Sequence, residues 1–278
     1  MSLTVFAIVL FAAVMHAVWN AIVKGGSDKL LMTILVTTSS GGVAALILPF
    51  LARPAVASWP FLFASMVFQI IYFALIARVY RAAEMSQAYP LMRGTAPLLV
   101  SIASVGLLHE HLSVIAWSGI CLICIGTASL AWTARAKGGL KGVSLALLNA
   151  VVIAAYTLID GAGVRRSMAP IAYAAWLFLL TSIPLMGWAI ASQGAAFRRY
   201  SMQHLRLGMI GGLGSCASYG LALWAMTRAP VAIVAALRET SILFATVIAA
   251  LVLKERVSPQ RVAAVCVIAS GAAMLRLA

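Results

Sequence analysis

Charge is scarce in this sequence: Asp, Glu, Lys and Arg together make up 9% of its 278 residues, where a soluble domain carries about a quarter. With 64% hydrophobic residues and a mean hydropathy of +1.06, that scarcity excludes a soluble domain and implies an integral membrane protein. The alternating ten-residue pattern of outer-membrane barrels is also missing, which leaves an all-helical bundle. There is no glycine loop of the kind that cradles nucleotide phosphates, so the chain is not expected to hydrolyse nucleotides. No catalytic set stands out, and no metal or other cofactor is implied. His109-Glu110-His111 falls in a tight turn and reads as a helix-start or loop contact instead of a metal site.

Cysteine is sparse too: Cys121, Cys124, Cys216 and Cys266 all fall in apolar runs and imply no disulfide framework. Cys121 and Cys124 lack His or acidic partners and are expected to be small buried hydrophobes. The N-terminus lacks a basic leader and a small-residue cleavage site. Its apolar run carries His16, Trp19 and Asn20 and is expected to remain as the first helix.

The net charge of +14 would suggest nucleic acid in a soluble chain. Here the Lys and Arg residues fall in short turns between apolar runs, where they set topology, so no nucleic-acid partner is expected. Ten apolar segments can be marked, at 3–23, 30–52, 60–81, 87–108, 112–133, 141–163, 168–191, 205–227, 229–253 and 258–277. Each is close to the ~20 residues a helix needs to cross a bilayer. The predicted fold is an all-α polytopic membrane protein with ten transmembrane helices. Its longest connections, 134–141 and 193–205, are expected to be basic turns.

One stretch occurs twice. Sliding it along the chain by a single offset lays Arg93 on Arg238, Thr95 on Thr240, Glu110 on Glu255, Ser113 on Ser258 and Gly126 on Gly271. Five segments precede the basic turn and five follow it, so residues 1–137 and 138–278 are expected to be two five-helix repeats. An odd number of helices per repeat places them in opposite orientations. Such folds hold their substrate near the bilayer midplane, between the halves, and one chain then supplies both sides of the site. A monomer is sufficient in principle.

Polar residues inside the spans are the candidate site residues. His16, Asn20 and Lys24 share one helix face beside Trp19; His16 is either a helix-to-helix hydrogen-bond partner or part of a water-facing wall. Gln69 and Tyr72 share a face of the third helix. Tyr89, Arg93 and Pro97 follow at four-residue spacing in the fourth, with Arg93 either in the site or snorkelling to the surface. In the sixth, Asn149, Tyr156 and Asp160 share a face; Asp160 either faces the cavity or pairs at the rim with Arg165 and Arg166. Tyr219 and Trp224 in the eighth are candidate walls, while the glycines from Gly211 to Gly220 there read as close packing. Arg238 and Glu239 are adjacent in the ninth and point about 100° apart, so each needs a partner on another helix. The candidate ion pairs are Glu239 with Arg93 and Arg238 with Asp160. Glu239 and Asp160 are the candidate coupling groups.

Leu237-Arg238-Glu239-Thr240-Ser241, then Leu253-Lys254-Glu255-Arg256-Val257-Ser258, then Gly271 in the last helix, resembles the second EamA-type repeat of the drug/metabolite transporter superfamily. The first half is similar, with Ala96-Pro97, Leu107 to Leu112, Gly119 and Gly126, although His109 stands where that pattern has glycine or lysine. The resemblance implies a secondary carrier of the bacterial inner membrane that works by alternating access. Its central cavity would be lined by the first, third, fourth, sixth, eighth and ninth helices. The expected activity is export of small organic solutes, most plausibly amino acids, aromatic ones included. The arginines would meet a carboxylate and the aromatic residues a side chain. The alternatives are a multidrug cation carrier, whose cavity should present carboxylates and aromatic rings where this chain is expected to have more positive than negative intramembrane charge, and a non-transporting scaffold or flippase subunit for lipid-linked intermediates.

Orientation follows from the basic loops. Arg53, Arg165, Arg166, Arg228 and Arg276 fall on the face of the termini, while thirteen others, from Lys24 to Arg261, fall on the opposite face. The excess marks the cytoplasmic side and puts both termini outside; the resemblance points the other way, to termini inside. An epitope tag at either terminus should therefore be reached by antibody on spheroplasts with intact inner membranes. Labelling only after the membrane is permeabilised would reverse the assignment.

Overall fold

The computed structural model describes residues 1–83, 85–133, 139–251, 254 and 257–278. The expected repeat boundary at 137/138 and the expected roles of Leu253, Glu255 and Arg256 lie outside the described residues. Among the described residues the regular elements are all helical: α1 (Leu3–Gly25), α2 (Lys29–Ile47), α3 (Trp59–Ala82), α4 (Met85–Leu107), α5 (Val114–Thr133), α6 (Leu140–Ser167), α7 (Pro170–Met226), α8 (Val231–Arg238), α9 (Ser241–Leu251) and α10 (Pro259–Leu277). Their starts carry ordinary chemistry. Ser2 accepts from the Val5 N–H at 3.3 Å, and Asp28 accepts from the N–H groups of Leu30 and Leu31 at 2.9 and 3.0 Å, satisfying donors that a helix leaves open.

Nine stretches of the described residues are long and apolar enough to cross a membrane. One of them, the 57-residue α7, would extend roughly 85 Å if straight, against a hydrocarbon core of about 30 Å. It is not straight. Its backbone leaves helical geometry at Gly194 (φ 39°, ψ −111°) and His204 (φ −119°, ψ 15°), giving limbs 170–193 and 205–226 that each match one crossing. This is compatible with the ten crossings expected from the sequence.

Three expectations need correction. The basic connection 193–205 is mostly helical: Phe197 and Tyr200 bury against Leu31 and Met32 of α2, and Tyr200 Oη donates to the Asp28 carbonyl at 3.2 Å. Arg198 and Arg199 made the segment look like an exposed turn, but two aromatic residues one turn apart give it a buried face. The ninth apolar segment is not one helix. It breaks between α8 and α9, where the N–H groups of Glu239 and Thr240 bond the carbonyls three residues back and Thr240 Oγ1 donates to the Leu237 carbonyl at 2.6 Å. The hydroxyl competes for a backbone acceptor and the turn tightens. Among the cysteines, Cys124 is buried as expected but Cys121 is exposed.

α2 runs between the two limbs of α7, with Gly41 against Ser182 on one side and Gly208 and Gly212 against Leu35 and Ser39 on the other. This is the close packing expected of the glycine-rich segment, and Ser40 Oγ adds a bond to the Gly212 carbonyl at 3.2 Å. α4 packs on α5 and α6, and α3 on α6.

Local features recur at the offset that lays Arg93 on Arg238. His109 and Lys254 both take positive φ, 52° and 53°. Ser113 caps Ala116 at 3.1 Å, and Ser258 caps Arg261 at 3.3 Å. Ser101 bonds the Pro97 carbonyl at 2.7 Å, and Thr246 bonds the Ile242 carbonyl at 2.8 Å. α5 and α10 cross antiparallel. A methyl on Gly119 would lie 2.9 Å from the Gly271 carbonyl oxygen, and one on Gly126 would lie 3.1 Å from that of Ala264. A methyl on Gly126 would also meet Ile268 at 2.8 Å, and one on Gly271 would meet Ile123 at 2.8 Å. These contacts are compatible with two inverted halves.

Because backbone oxygens cannot rotate away, Gly119→Ala and Gly271→Ala should each lower the apparent Tm of the detergent-purified protein, at a cost of about 1–3 kcal/mol for forced separation. Gly42→Ala, where an added Cβ meets nothing within 4 Å, should leave it unchanged. Equal behaviour of all three variants would refute the tight crossing.

Candidate solute site

Six elements send polar side chains to one place at the centre of the bundle: α1, α3, α4, α6, the 205–226 limb of α7, and α8. Arg93 and Glu239 meet across the halves, Nε donating to Oε2 at 3.0 Å while Nη2 lies 2.8 Å from Oε1. This is one of the two candidate ion pairs, and it shows that Arg93 is held inside and does not snorkel. The break between α8 and α9 turns Glu239 towards α4. Position 94, which the repeat lays over Glu239, is a glycine in α4 with the α5 backbone at Ala128 only 2.9 Å from where its Cβ would stand.

Arg238 behaves differently. It is 9% exposed, its guanidinium lies 4.8 Å over the Tyr219 ring, and its Nε has no hydrogen-bond partner among the described residues. The expected ion pair with Asp160 does not form. Tyr219 stands between them, its ring under Arg238 and its hydroxyl donating to Asp160 Oδ2 at 2.5 Å. Tyr173 Oη donates to Asp160 Oδ1 at 3.1 Å, and Asp160 is fully buried. The rim reading of Asp160 is therefore wrong. Arg165 pairs with Glu110 instead, and Arg166 lies over Phe61 at 4.8 Å.

Around these charges stand half-buried rings. Tyr72 meets Tyr156 edge to face at 6.0 Å, and the charges of both arginines act on Tyr89, Tyr156 and His16. His16 is buried and meets Trp19 edge to face at 5.1 Å. Asn20 turns its amide onto the His16 carbonyl of its own helix at 2.8 Å, and Gln69 bonds Ser65 at 3.3 Å. Trp224 belongs elsewhere, under Arg228 at 5.7 Å. With Asp160 inside, the centre holds two arginines and two carboxylates among the described residues, so the expected excess of positive charge is not found among them.

Two contributors escaped the sequence reading. Tyr173 reaches Asp160 from the next helix across a turn, with no periodicity to betray it. Glu110 was legible as a loop contact but not its target: its carboxylate accepts from the N–H groups of Val231 and Ala232 at 2.7 and 3.3 Å, capping α8. Arg165 binds the same carboxylate at 2.6 Å and donates to the carbonyls of Met226 and Ala229 at 2.8 and 3.0 Å. The arginine of the site thus sits at the end of a short, wholly buried helix whose other end is fixed at the face of the termini.

Residues 140–277 match the model of the EamA-like transporter family. The chain belongs to that family through this half. An EamA-like transporter is a membrane carrier of small solutes. A solved crystal structure matches over 99% of this chain and 98% of its own, at a TM-score of 0.75 and 20% identity; it shows that the fold spans both halves. No curated protein matches the chain.

The ion pair makes a coupling prediction. Glu239→Gln strands Arg93 and Arg93→Met strands Glu239, and removing one partner of a buried pair costs about 3–5 kcal/mol. Each single variant should lower the apparent Tm, and the combined variant should melt closer to wild type than either. Additive losses would show that the two side chains do not act as a pair.

Proposed function

We propose that this EamA-like transporter exports small organic acids, amino acids foremost, by alternating access through the central site. One observation carries the solute class: among the described residues, Arg238 is a buried guanidinium with no carboxylate bound to it and an unpartnered Nε. A buried arginine is costly unless an anion meets it, and its planar fork fits a carboxylate bidentately. Tyr72, Tyr89, Tyr156 and Tyr219 offer apolar ring surface with hydroxyl rims, suited to an aromatic or aliphatic side chain. His16 and Trp19 complete the wall from α1. A monomer in the bacterial inner membrane with both termini outside is the arrangement proposed with it.

A second reading rests on Asp160, a buried carboxylate with hydroxyl partners only, which would suit a cationic drug. Competition separates the two. In proteoliposomes holding the purified protein, uptake of a labelled amino acid should saturate, and it should be blocked by the unlabelled acid but not by its amide, which lacks the carboxylate. Arg238→Ala should reduce uptake by at least tenfold. Inhibition by amides and by lipophilic cations, with uptake intact in Arg238→Ala, would favour the cation carrier. No saturable uptake of any amino acid by well-folded protein would sink the proposal.

A further inference from the structure

The two central carboxylates are not equivalent. Glu239 is bound by Arg93 at both oxygens, so a proton added to it would strand a buried arginine. Among the described residues Asp160 is held by hydroxyls alone, Tyr173 on Oδ1, Tyr219 on Oδ2 and Ser65 from α3. A hydroxyl can donate to a carboxylate and accept from a carboxylic acid, so Asp160 can change protonation state without stranding a buried opposite charge, as Glu239 would strand Arg93. Its surroundings support this. From α7 it is faced by Tyr173 and Tyr219, from its own helix by Tyr156 and from α8 by Arg238; Arg93 of α4 is taken up by Glu239.

Tyr219 is shared between two functions. Its ring carries the Arg238 guanidinium on one face and its hydroxyl ends on Asp160. A solute carboxylate that draws Arg238 off the ring removes a cation from the neighbourhood of Asp160 and frees the ring to move. A proton on Asp160 reverses the sense of the Tyr219 hydrogen bond and acts back on the ring beneath Arg238.

We propose that Asp160 is the proton site of this carrier and that Tyr219 couples it to the solute site at Arg238. The inference rests on the solute-carrier reading for its second half only. In the cycle, Asp160 takes a proton from water on one face of the membrane, becoming a neutral acid. Tyr219 turns from donor to acceptor, and the proton leaves to water on the other face. Every other group keeps its charge.

The test begins with proton binding, which needs no known solute. Infrared difference spectra of the protein in lipid nanodiscs, recorded across a pH titration, should show a carboxylic-acid carbonyl band. The band should persist in Glu239→Gln and vanish in Asp160→Asn, and Tyr219→Phe should shift its midpoint. A band lost in Glu239→Gln and kept in Asp160→Asn, or no titrating carboxyl in the folded wild type, overturns the proton site. Tyr219→Phe, which keeps the ring, guards against misfolding of the Asp160 variant: an unshifted midpoint in that protein overturns the role of Tyr219. In proteoliposomes with a labelled amino acid, the ratio of uptake with and without a pH gradient should exceed one in wild type and fall to one in Asp160→Asn. An unchanged ratio overturns the coupling. Failure of the solute class shows separately, as a titrating Asp160 in a protein that takes up no amino acid.

Discussion

The ion pair between Arg93 and Glu239 holds the centre together. Neither residue is tolerable alone in a membrane interior, where an unpaired charge costs several kcal/mol. The two come from different halves, so the cost of burying each is met only when the halves meet. The rest of the site follows from that constraint. To face Arg93, Glu239 must leave the regular course of its helix, and the tight turn at Thr240 allows it. Once Arg93 has taken the nearby anion, the matching Arg238 is left over the Tyr219 ring with an open Nε. A sequence repeat that is symmetric in its arginines becomes, in three dimensions, one cation paired with a carboxylate and one without such a pair among the described residues.

Much of this was legible beforehand because membrane-buried polar residues are few and each needs a reason. Arg93, Arg238 and Glu239 stood out in apolar runs, and helix geometry alone excluded pairing of the adjacent residues. It did not reveal which carboxylate would find which arginine, since that depends on how helices rotate about their axes. Asp160 stayed open between cavity and rim for the same reason: five residues from Arg165, it could have been a rim pair, whereas Arg165 is drawn to Glu110 and the α8 cap. Trp224 lies close to Tyr219 in sequence but falls beside Arg228. The helical stretch after Gly194 was hidden by its two arginines, and the α8 to α9 break by an apolar run that continues through it.

The short helix α8 links two places that would otherwise be independent. At one end Glu110 neutralises its first N–H groups and Arg165 ties down the loop before it; at the other end stand Arg238 and Glu239. A buried helix of two turns transmits displacement with little bending, so a change at the rim is a change in the position of the guanidinium. Under the alternating access proposed here, rim closure and solute capture become one motion.

The crossing of α5 and α10 has a different consequence. Under the alternating access proposed here, its contacts lie about the line that would exchange two inverted halves, so rocking one half against the other would carry the Gly119–Gly271 and Gly126–Ala264 contacts into each other. Such a crossing can act as a bearing whose energy is the same at both ends of the stroke. The preference for one end over the other must then come from contacts far from the bearing.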